Sequence, residues 1–273
     1  MKKTSPTGQA FFLFTTVASA LLFLVSTALA ENKSLPNAYP RYGLVSFWPA
    51  NGNATDIIGK HNGVLFNSAN YTNGITGGAF NFDNSAGIFG GWSSSVFPSP
   101  AFDGGNFMSV PDSTAWSFGT GNFTISLWAK FNAETVNDIG HSQGGVFISH
   151  DDGAFDEKKW WFSLGGGVLN VHINDPAQGP VFLVNAPFTP IVNQWYHYTL
   201  TRKGNLFTVY VNGAAIGTDT SSRAIPDAAG PLNLGEAEGY YFNGQMDNVA
   251  IYKRALSALE IKKITKSGDI DID

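Results

Sequence analysis

The first residues to test for chemistry are two glutamates, Glu236 and Glu238, which stand two positions apart. A closely spaced carboxylate pair is what a retaining glycosidase requires, and residues i and i+2 of a strand share one face. These glutamates, however, lie in the sequence Glu-Ala-Glu-Gly between glycines, which predicts a loop. The run Glu-x-Asp-x-x-Glu, which some glycoside hydrolases carry along one strand, does not occur in the chain. The pattern therefore disfavours a glycoside hydrolase.

Other catalytic patterns are weaker still. His172 with Tyr196 or Tyr198 supplies residue types that a polysaccharide lyase uses, but without a lyase signature. The chain has no Gly-x-Ser-x-Gly turn for a serine hydrolase, no phosphate loop and no dinucleotide fingerprint. It has no cysteine, and its five histidines show no close ligand spacing, which argues against a zinc site. We expect a protein that is not an enzyme, with a glycosidase or lyase as the less favoured alternative.

Aromatic residues outside the regular core pattern are better candidates for a binding role. Tryptophan and tyrosine rings stack against the apolar faces of sugars, while amide and carboxylate side chains fix the hydroxyl groups. Trp160 and Trp161 are neighbours in a predicted strand, so one should face the core and the other solvent. The candidate carbohydrate-binding residues are Trp92, Trp160, Tyr240 and Tyr241.

Composition favours an all-β domain and argues against a nucleic-acid partner. The 273 residues include 31 glycines and 22 phenylalanines, and only 14% are charged, which is typical of many short strands joined by tight turns. The formal net charge is −5 and no basic patch stands out. Because the chain has no cysteine, disulfides cannot hold the fold, which must depend on its core.

The N-terminus has the pattern of an export signal. Lys2 and Lys3 precede a largely apolar run over residues 10–30, and Ala28-Leu29-Ala30 fits a small-x-small cleavage site. The run is also about long enough to be a membrane anchor, but serines and threonines dilute it. We expect a cleaved signal peptide, no membrane span after cleavage, and a secreted, periplasmic or cell-surface protein.

Several segments alternate apolar and polar residues with the period of a strand. The clearest is 123–131, in which the odd-numbered residues form one apolar face. Residues 160–164 and 168–173 predict a hairpin across three glycines, and 195–202 with 206–211 predict a second hairpin. These elements indicate antiparallel sheets.

The segment from Gly244 to Glu260 contains a strand, a turn and a helix start. Residues 245–252 are strand-like, and Ser257 with Glu260 forms a capping box that begins a helix at Ala258. Together with Trp195-Tyr-His-Tyr and Val209-Tyr-Val-Asn-Gly, this segment resembles the laminin-G-like, or concanavalin A-like, jelly-roll domain of secreted bacterial proteins. One departure is Asn248, which stands where the family pattern has an acidic residue.

The resemblance implies an all-β fold, a two-sheet antiparallel jelly-roll sandwich with a short C-terminal helix. It gives the following division of the chain: a signal peptide at 1–30, a flexible lead at 31–42, the domain at 43–266 with an inserted loop at 84–104, and a tail at 267–273.

The resemblance also implies a structural calcium ion at the rim of the sandwich. Asp56 matches the family's Asp-x-x-Gly loop and Asp247 matches the aspartate of the closing strand, so the expected ligands are Asp56, Asp247 and carbonyl groups near Gly59 and His61. The alternative is that Asp56 makes an Asx turn and Asp247 caps backbone amides. The acidic loop at 150–156 could hold a second ion, but a solvated loop is the favoured interpretation.

These observations predict an exported, non-catalytic recognition domain that binds a polysaccharide or surface glycan. The alternative from a different class is an adhesion module that binds a surface protein. An aromatic row on one sheet would favour a sugar, and a broad apolar patch would favour a protein.

Overall fold

The computed structural model describes residues 35–85, 104–133, 145–153 and 157–268, with the backbone of two short strands between 137 and 142. The predicted signal peptide, the candidate Trp92 with most of the inserted loop, and the end of the tail lie outside the described residues. Within the described residues, no helix is long and apolar enough to cross a bilayer.

Sheet A contains eight strands, all paired antiparallel. These are β1 (Leu44–Trp48), β3 (Asn70–Asn73), β4 (Gly78–Phe82), β6 (Phe123–Phe131), β13 (Trp195–Lys203), β14 (Leu206–Val211), β15 (Ala214–Thr220) and β19 (Gly244–Tyr252). Their order is β15-β14-β13-β6-β19-β4-β3, and β1 also pairs with β19. The first strand, β1, and the last, β19, are therefore neighbours.

Sheet B contains seven antiparallel strands. These are β2 (Val64–Phe66), β5 (Phe107–Val110), β9 (Gly145–Asp151), β10 (Lys159–Gly165), β11 (Val168–Asp175), β12 (Gly179–Pro187) and β16 (Leu232–Leu234). Their order is β12-β11-β10-β9-β16-β5-β2. Two small hairpins, β7 (Asn137–Asp138) with β8 (His141–Ser142) and β17 (Glu236–Ala237) with β18 (Tyr240–Tyr241), a short 3-10 turn (Thr114–Trp116) and one α-helix, α1 (Ala258–Gly268), complete the part of the chain that the structure describes. The predicted fold class is confirmed.

The main core lies between the two sheets, where the inward residues of alternating strands meet. Among its largest fully buried side chains are Trp48, Trp116, Trp160, Tyr198, Phe80, Phe82, Phe123, Phe131 and Phe147. A core this rich in aromatic rings buries a large apolar area per residue. It gives a chain without cysteine its stability.

A second apolar cluster closes the outer face of sheet A. Ile261 and Ile264 of α1 pack there with Phe47 and with Leu35 and Tyr39 from the N-terminal segment. The expectation of a flexible lead is wrong from Leu35 onward, because Leu35 and Tyr39 are buried by this packing.

Trp128 lies on this same outer face, which explains its place among the polar positions of β6. It is buried beside the ring of His197, and a Cβ on Gly268 at the end of α1 would overlap it. His197 is held by Ser126 at 2.8 Å and by Thr265 of α1 at 3.0 Å. Its complete burial lowers the pKa of the imidazole to about 3. These contacts give Trp128 a structural role.

The predicted capping box starts helix α1. The Glu260 amide donates to Ser257 Oγ at 3.3 Å, and the Ser257 amide donates to Glu260 Oε2 at 2.8 Å. Arg254 adds two hydrogen bonds to the same carboxylate and lowers the pKa of Glu260 to about 2.

Strand β19 contains a bulge at the position where the chain departs from the family pattern. Asn248 has φ of +50°, and the register with β6 shifts between Asp247 and Ala250. The bulge lies between the half of β19 that pairs with β4 and the half that pairs with β1. Asparagine tolerates this left-handed conformation, and its Nδ2 donates to Thr76 Oγ1 at 2.8 Å.

The sequence did not predict β12, which forms one edge of sheet B. Pro180 and Pro187 near its ends lower the expectation of a strand, although an edge strand accepts proline. A bulge at Val184 and Asn185, both with positive φ, further breaks its alternation.

Replacing Asn248 tests the role of the bulge. We expect Asn248→Val to lower the free energy of unfolding by about 1–2 kcal/mol more than Asn248→Gly does, since valine is strained at positive φ. Both variants lose the hydrogen bond to Thr76, so glycine is the matched control. Chemical denaturation measures the difference, and equal stabilities would contradict the left-handed conformation.

Candidate binding face

The outer face of sheet B carries the candidate site. Strand register aligns one outward side chain from each of its seven strands in a single cross-strand row. In order from β2 to β12 these are Val64, Ser109, Asn233, Ser149, Trp161, His172 and Phe182. Unlike the outer face of sheet A, this face has no helix packed on it among the described residues.

Aromatic rings occupy both ends of this face. Trp161 stacks on His172 with ring centres 3.9 Å apart, and His172 contacts Phe182 at 4.5 Å. At the other end Phe66 stacks on Phe107 at 4.8 Å. Phe182 is 51% exposed and Phe66 is 43% exposed. Each therefore keeps ring surface available to a ligand.

The hairpin β17–β18 lies between these two groups. Tyr240 packs against the small buried cluster of Val146, Trp161 and Ala237, and the rings of Tyr241 and Phe107 lie 6.3 Å apart. Tyr241 also covers Gly105, where a Cβ would overlap its ring. The combined set, which we call the aromatic band, comprises Phe66, Phe107, Tyr241, Tyr240, Trp161, His172 and Phe182. The two tyrosines chosen from the sequence thus lie at its centre.

Polar contacts fasten the hairpin to the sheet. Ser149 Oγ donates to the backbone oxygen of Glu236 at 2.6 Å. The Glu236 carboxylate accepts from Asn233 Nδ2 at 2.7 Å and from the Gly239 amide at 3.0 Å. Burial raises the pKa of Glu236 to about 7.

One buried lysine connects the sheet to the far side of the hairpin turn. Lys159 forms ion pairs with Glu238 and, at 3.6 Å, with Asp151. Burial raises the pKa of both carboxyl groups, against the opposing effect of Lys159. On the same face, burial lowers the pKa of His172 to about 4, so that its imidazole is neutral at pH 7.

Trp160 is not a binding residue, which corrects the prediction. Its side chain is 1% exposed and lies in the main core beside Phe118, at a ring distance of 5.5 Å. The neighbouring Trp161 takes the outward position. The alternation of the strand could have indicated this, because Trp160 shares its face of the strand with Phe162 and Leu164, whose residue types are typical of a core.

Sequence reasoning also missed two members of the aromatic band at the sheet edges. Phe182 lies on the unpredicted strand β12, and Phe66 ends the short strand β2. Their apolar type suggested a core position, and only the register of the sheet places them outside.

The residues considered for a lyase do not come together. His172 is on the outer face of sheet B, whereas Tyr196 and Tyr198 belong to sheet A and point into the core. Two residues at the start of the predicted acidic loop also point in opposite directions. His150 points inward to Trp116, while Asp151 points outward to Lys159.

Asp56 organises the loop that follows β1. Its Oδ1 accepts hydrogen bonds from the amides of Phe47, Ile58 and Gly59 at 2.9–3.0 Å, and its Oδ2 accepts from the amide of His61 at 3.1 Å and lies 3.0 Å from the His61 ring. A carboxylate has about four lone-pair positions. The chain itself fills them, so Asp56 does not fit a direct ligand of calcium.

Asp247, the other expected carboxylate ligand, serves a different segment. It is fully buried, and its Oδ2 accepts from the Thr76 amide at 3.2 Å. Among the described residues, no three His, Asp or Glu side chains are grouped so as to hold a metal ion. The calcium ion stays a prediction, while the alternative of an Asx turn at Asp56 agrees with the observed contacts.

The ring of His61 joins three segments in a Ser–His–Asp order. Its Nε2 lies 3.1 Å from Ser113 Oγ, and its Nδ1 lies 3.0 Å from Asp56 and 2.8 Å from Ser46 Oγ. Ser113 Oγ also accepts from the Ala115 amide at 3.2 Å, as an N-cap does. Ser113, His61 and Asp56 all hydrogen-bond to backbone groups or neighbouring side chains. The arrangement is therefore structural, and it connects β1, the loop after β1 and the 114–116 turn.

Replacing Asp56 with asparagine tests this account. We expect Asp56→Asn to lower the free energy of unfolding by about 2–3 kcal/mol, since the new amide group meets the His61 amide donor and the charged acceptor is lost. Asp175→Asn, at a half-buried aspartate that accepts one amide, is the control. We also expect the Tm to be unchanged by EDTA. A Tm that falls with EDTA and recovers with calcium would contradict the conclusion that donors within the chain occupy the acceptor positions of the Asp56 carboxylate.

Comparison with known proteins gives both a family and structural neighbours. The family model described as the concanavalin A-like lectin/glucanases superfamily matches residues 102–262, more than half of the chain. No curated protein sequence matches the chain.

One similar structure is domain 4 of AbnA, a GH43 extracellular arabinanase from Geobacillus stearothermophilus, in complex with arabinotriose. It has 16% identity and a TM-score of 0.60, over 81% of this chain and 98% of that one. The binding domain of Paraclostridial Mosquitocidal Protein 1 has 17% identity and a TM-score of 0.59, over 82% of this chain and 52% of that one. The binding domain of botulinum neurotoxin DC, in complex with SialylT, has 13% identity and a TM-score of 0.58, over 83% and 52%.

The chain spans about half the length of these two toxin binding domains. At such identities the neighbours show the fold alone, and they agree with the two sheets described above. The family match carries the assignment: the chain belongs to the concanavalin A-like lectin/glucanases superfamily.

Proposed function

We propose that the protein is a non-catalytic carbohydrate-binding domain and that a glycan lies along the aromatic band of sheet B. The observation that carries the proposal is the band itself, which runs from β2 to β12 with polar side chains between its rings. Aromatic rings at several points, together with amide groups, are the side chains that recognise sugars.

The dimensions of the band favour a chain of sugars over a single residue. Seven strands at the usual spacing of ~4.8 Å span roughly 29 Å across the sheet. Exposed rings at both edges, Phe66 and Phe182, give contacts at the two ends of such a ligand. The similar AbnA domain, whose structure contains arabinotriose, supports a sugar oligomer as the class of ligand.

The contacts of the carboxylates support a binding role over catalysis. Glu236 holds the turn of its own hairpin through the Gly239 amide, and Glu238 is ion-paired to Lys159. Both groups therefore serve the local structure. A predicted export signal would place such a domain where extracellular polysaccharides occur.

The distribution of exposed apolar side chains favours a glycan over a protein partner. Three of the large exposed ones, Val64, Phe66 and Phe182, belong to the outer face of sheet B and stand at its two edges, on β2 and β12, with the partly buried rings of Tyr240 and Tyr241 between them. They do not form the continuous apolar patch that a protein interface requires.

Affinity electrophoresis of residues 31–273 through gels containing different polysaccharides tests the proposal. We expect one class to retard the protein, and Phe182→Ala or Tyr241→Ala to weaken that binding about tenfold, which is roughly 1.4 kcal/mol of lost contact. Tyr42→Ala removes an exposed ring outside the band and is the matched control, with unchanged binding. Absence of retardation by every polysaccharide, or equal loss in the control, would reject the proposal.

A further inference from the structure

The hairpin β17–β18 covers a cluster with more negative than positive charge. Asp151, Glu236 and Glu238 lie closely enough to interact electrostatically, and among the described residues Lys159 is the cation paired with two of them, Asp151 and Glu238. With all groups ionised the cluster carries an excess of negative charge. Burial makes that excess unfavourable, which agrees with the raised pKa of each carboxyl group.

Acceptor atoms in and beside the cluster lack donors. Asp151 Oδ2 and Asn233 Oδ1 accept no hydrogen bond within the described structure, although both residues are more than nine-tenths buried. Asn233 is tied to the cluster because its Nδ2 donates to Glu236. A buried acceptor without a donor is unfavourable. The site therefore suits a ligand that supplies donors and positive charge.

An ammonium group has these properties. It carries one positive charge and three donors on a single atom, and its hydrogen bonds to carboxylates are charge-assisted. The half-exposed ring of Tyr240 lies on the same hairpin, where an aromatic face also attracts a cation. A sugar hydroxyl supplies a donor without the charge, and an acidic sugar would be repelled.

We propose that the glycan bound by this domain carries free amino groups and that Asp151, Glu236 and Glu238 bind one of its ammonium groups beneath Tyr240. The inference rests on the proposed function, since the aromatic band supplies the rest of the contact. It names the ligand class as an amino polysaccharide with unacetylated amines.

Metal binding accounts less well for the cluster. The three carboxylates do not meet in a geometry that would hold a metal ion, as judged over the described residues. A metal ion needs several oxygens at 2.3–2.6 Å or closer, whereas an ammonium group reaches acceptors at about 2.8 Å in separate directions.

Calorimetric titration with oligomers of glucosamine and of N-acetylglucosamine of equal length tests the inference. At pH 6 we expect the free-amine oligomer to bind at least tenfold more tightly, because acetylation removes its charge. Binding should also release protons, since the ammonium group stabilises the ionised form of Glu236. Titrations in two buffers of different ionisation enthalpy measure this release.

Two substitutions distinguish amine binding by the cluster from a role of the same residues in stabilising the fold. We expect Asp151→Asn and Glu236→Gln, each of which keeps the shape and removes a charge, to reduce the preference for the free-amine oligomer over the acetylated oligomer about tenfold. Glu157→Gln, at an exposed carboxylate close by in the chain, is the charge-matched control. A preference that survives both substitutions, or is lost equally in the control, overturns the inference.

The outcomes distinguish this inference from the proposed function. If the protein binds acetylated or neutral oligomers as tightly as the free-amine oligomer, the amine site is rejected and carbohydrate binding stands. If no oligosaccharide or polysaccharide binds, both are rejected.

Discussion

The packing of helix α1 against sheet A determines which surface can receive a ligand. Ile261 and Ile264 of the helix, with Leu35 and Tyr39, bury the outer face of that sheet. The outer face of sheet B has no helix packed on it among the described residues, so its side chains can meet a large partner. The capping box at Ser257 and Glu260 fixes where the helix begins. The placement of the aromatic band on sheet B is thus a consequence of helix packing on the opposite side of the sandwich.

The hairpin β17–β18 depends on a different balance. It buries Ala237 in a small cluster with Val146 and Trp161, and polar contacts with Ser149, Asn233 and Lys159 also hold it in position. Buried ion pairs are a weak source of stability because desolvation opposes the Coulombic attraction. Their geometry nevertheless fixes one orientation of Tyr240 and Tyr241. These polar contacts therefore fix the position of the hairpin more than they stabilise it.

Much of the fold could be predicted from the sequence, because period-two alternation, Asn-Gly turns and the capping box are local signals. Strands β6 and β14 begin and end at the predicted residues. The candidate site was harder to predict. Tyr240 and Tyr241 were chosen for their type, but the exposure of Phe66 and Phe182 follows from pairings between strands distant in the chain. Asp56 shows the same limit, since a carboxylate that holds backbone amides and one that ligates calcium have the same local sequence.

The edge strand β12 has a consequence for the behaviour of the protein in solution. An exposed edge offers unpaired amides to a strand of another molecule, which is a common route to aggregation. Here Pro180 lacks an amide hydrogen, the bulge at Val184 and Asn185 breaks the regular spacing, and Asp219 accepts the Val184 amide at 3.3 Å. A second molecule therefore finds few amides in register along this edge. The strand can present the exposed ring of Phe182 to a ligand without becoming a template for self-association.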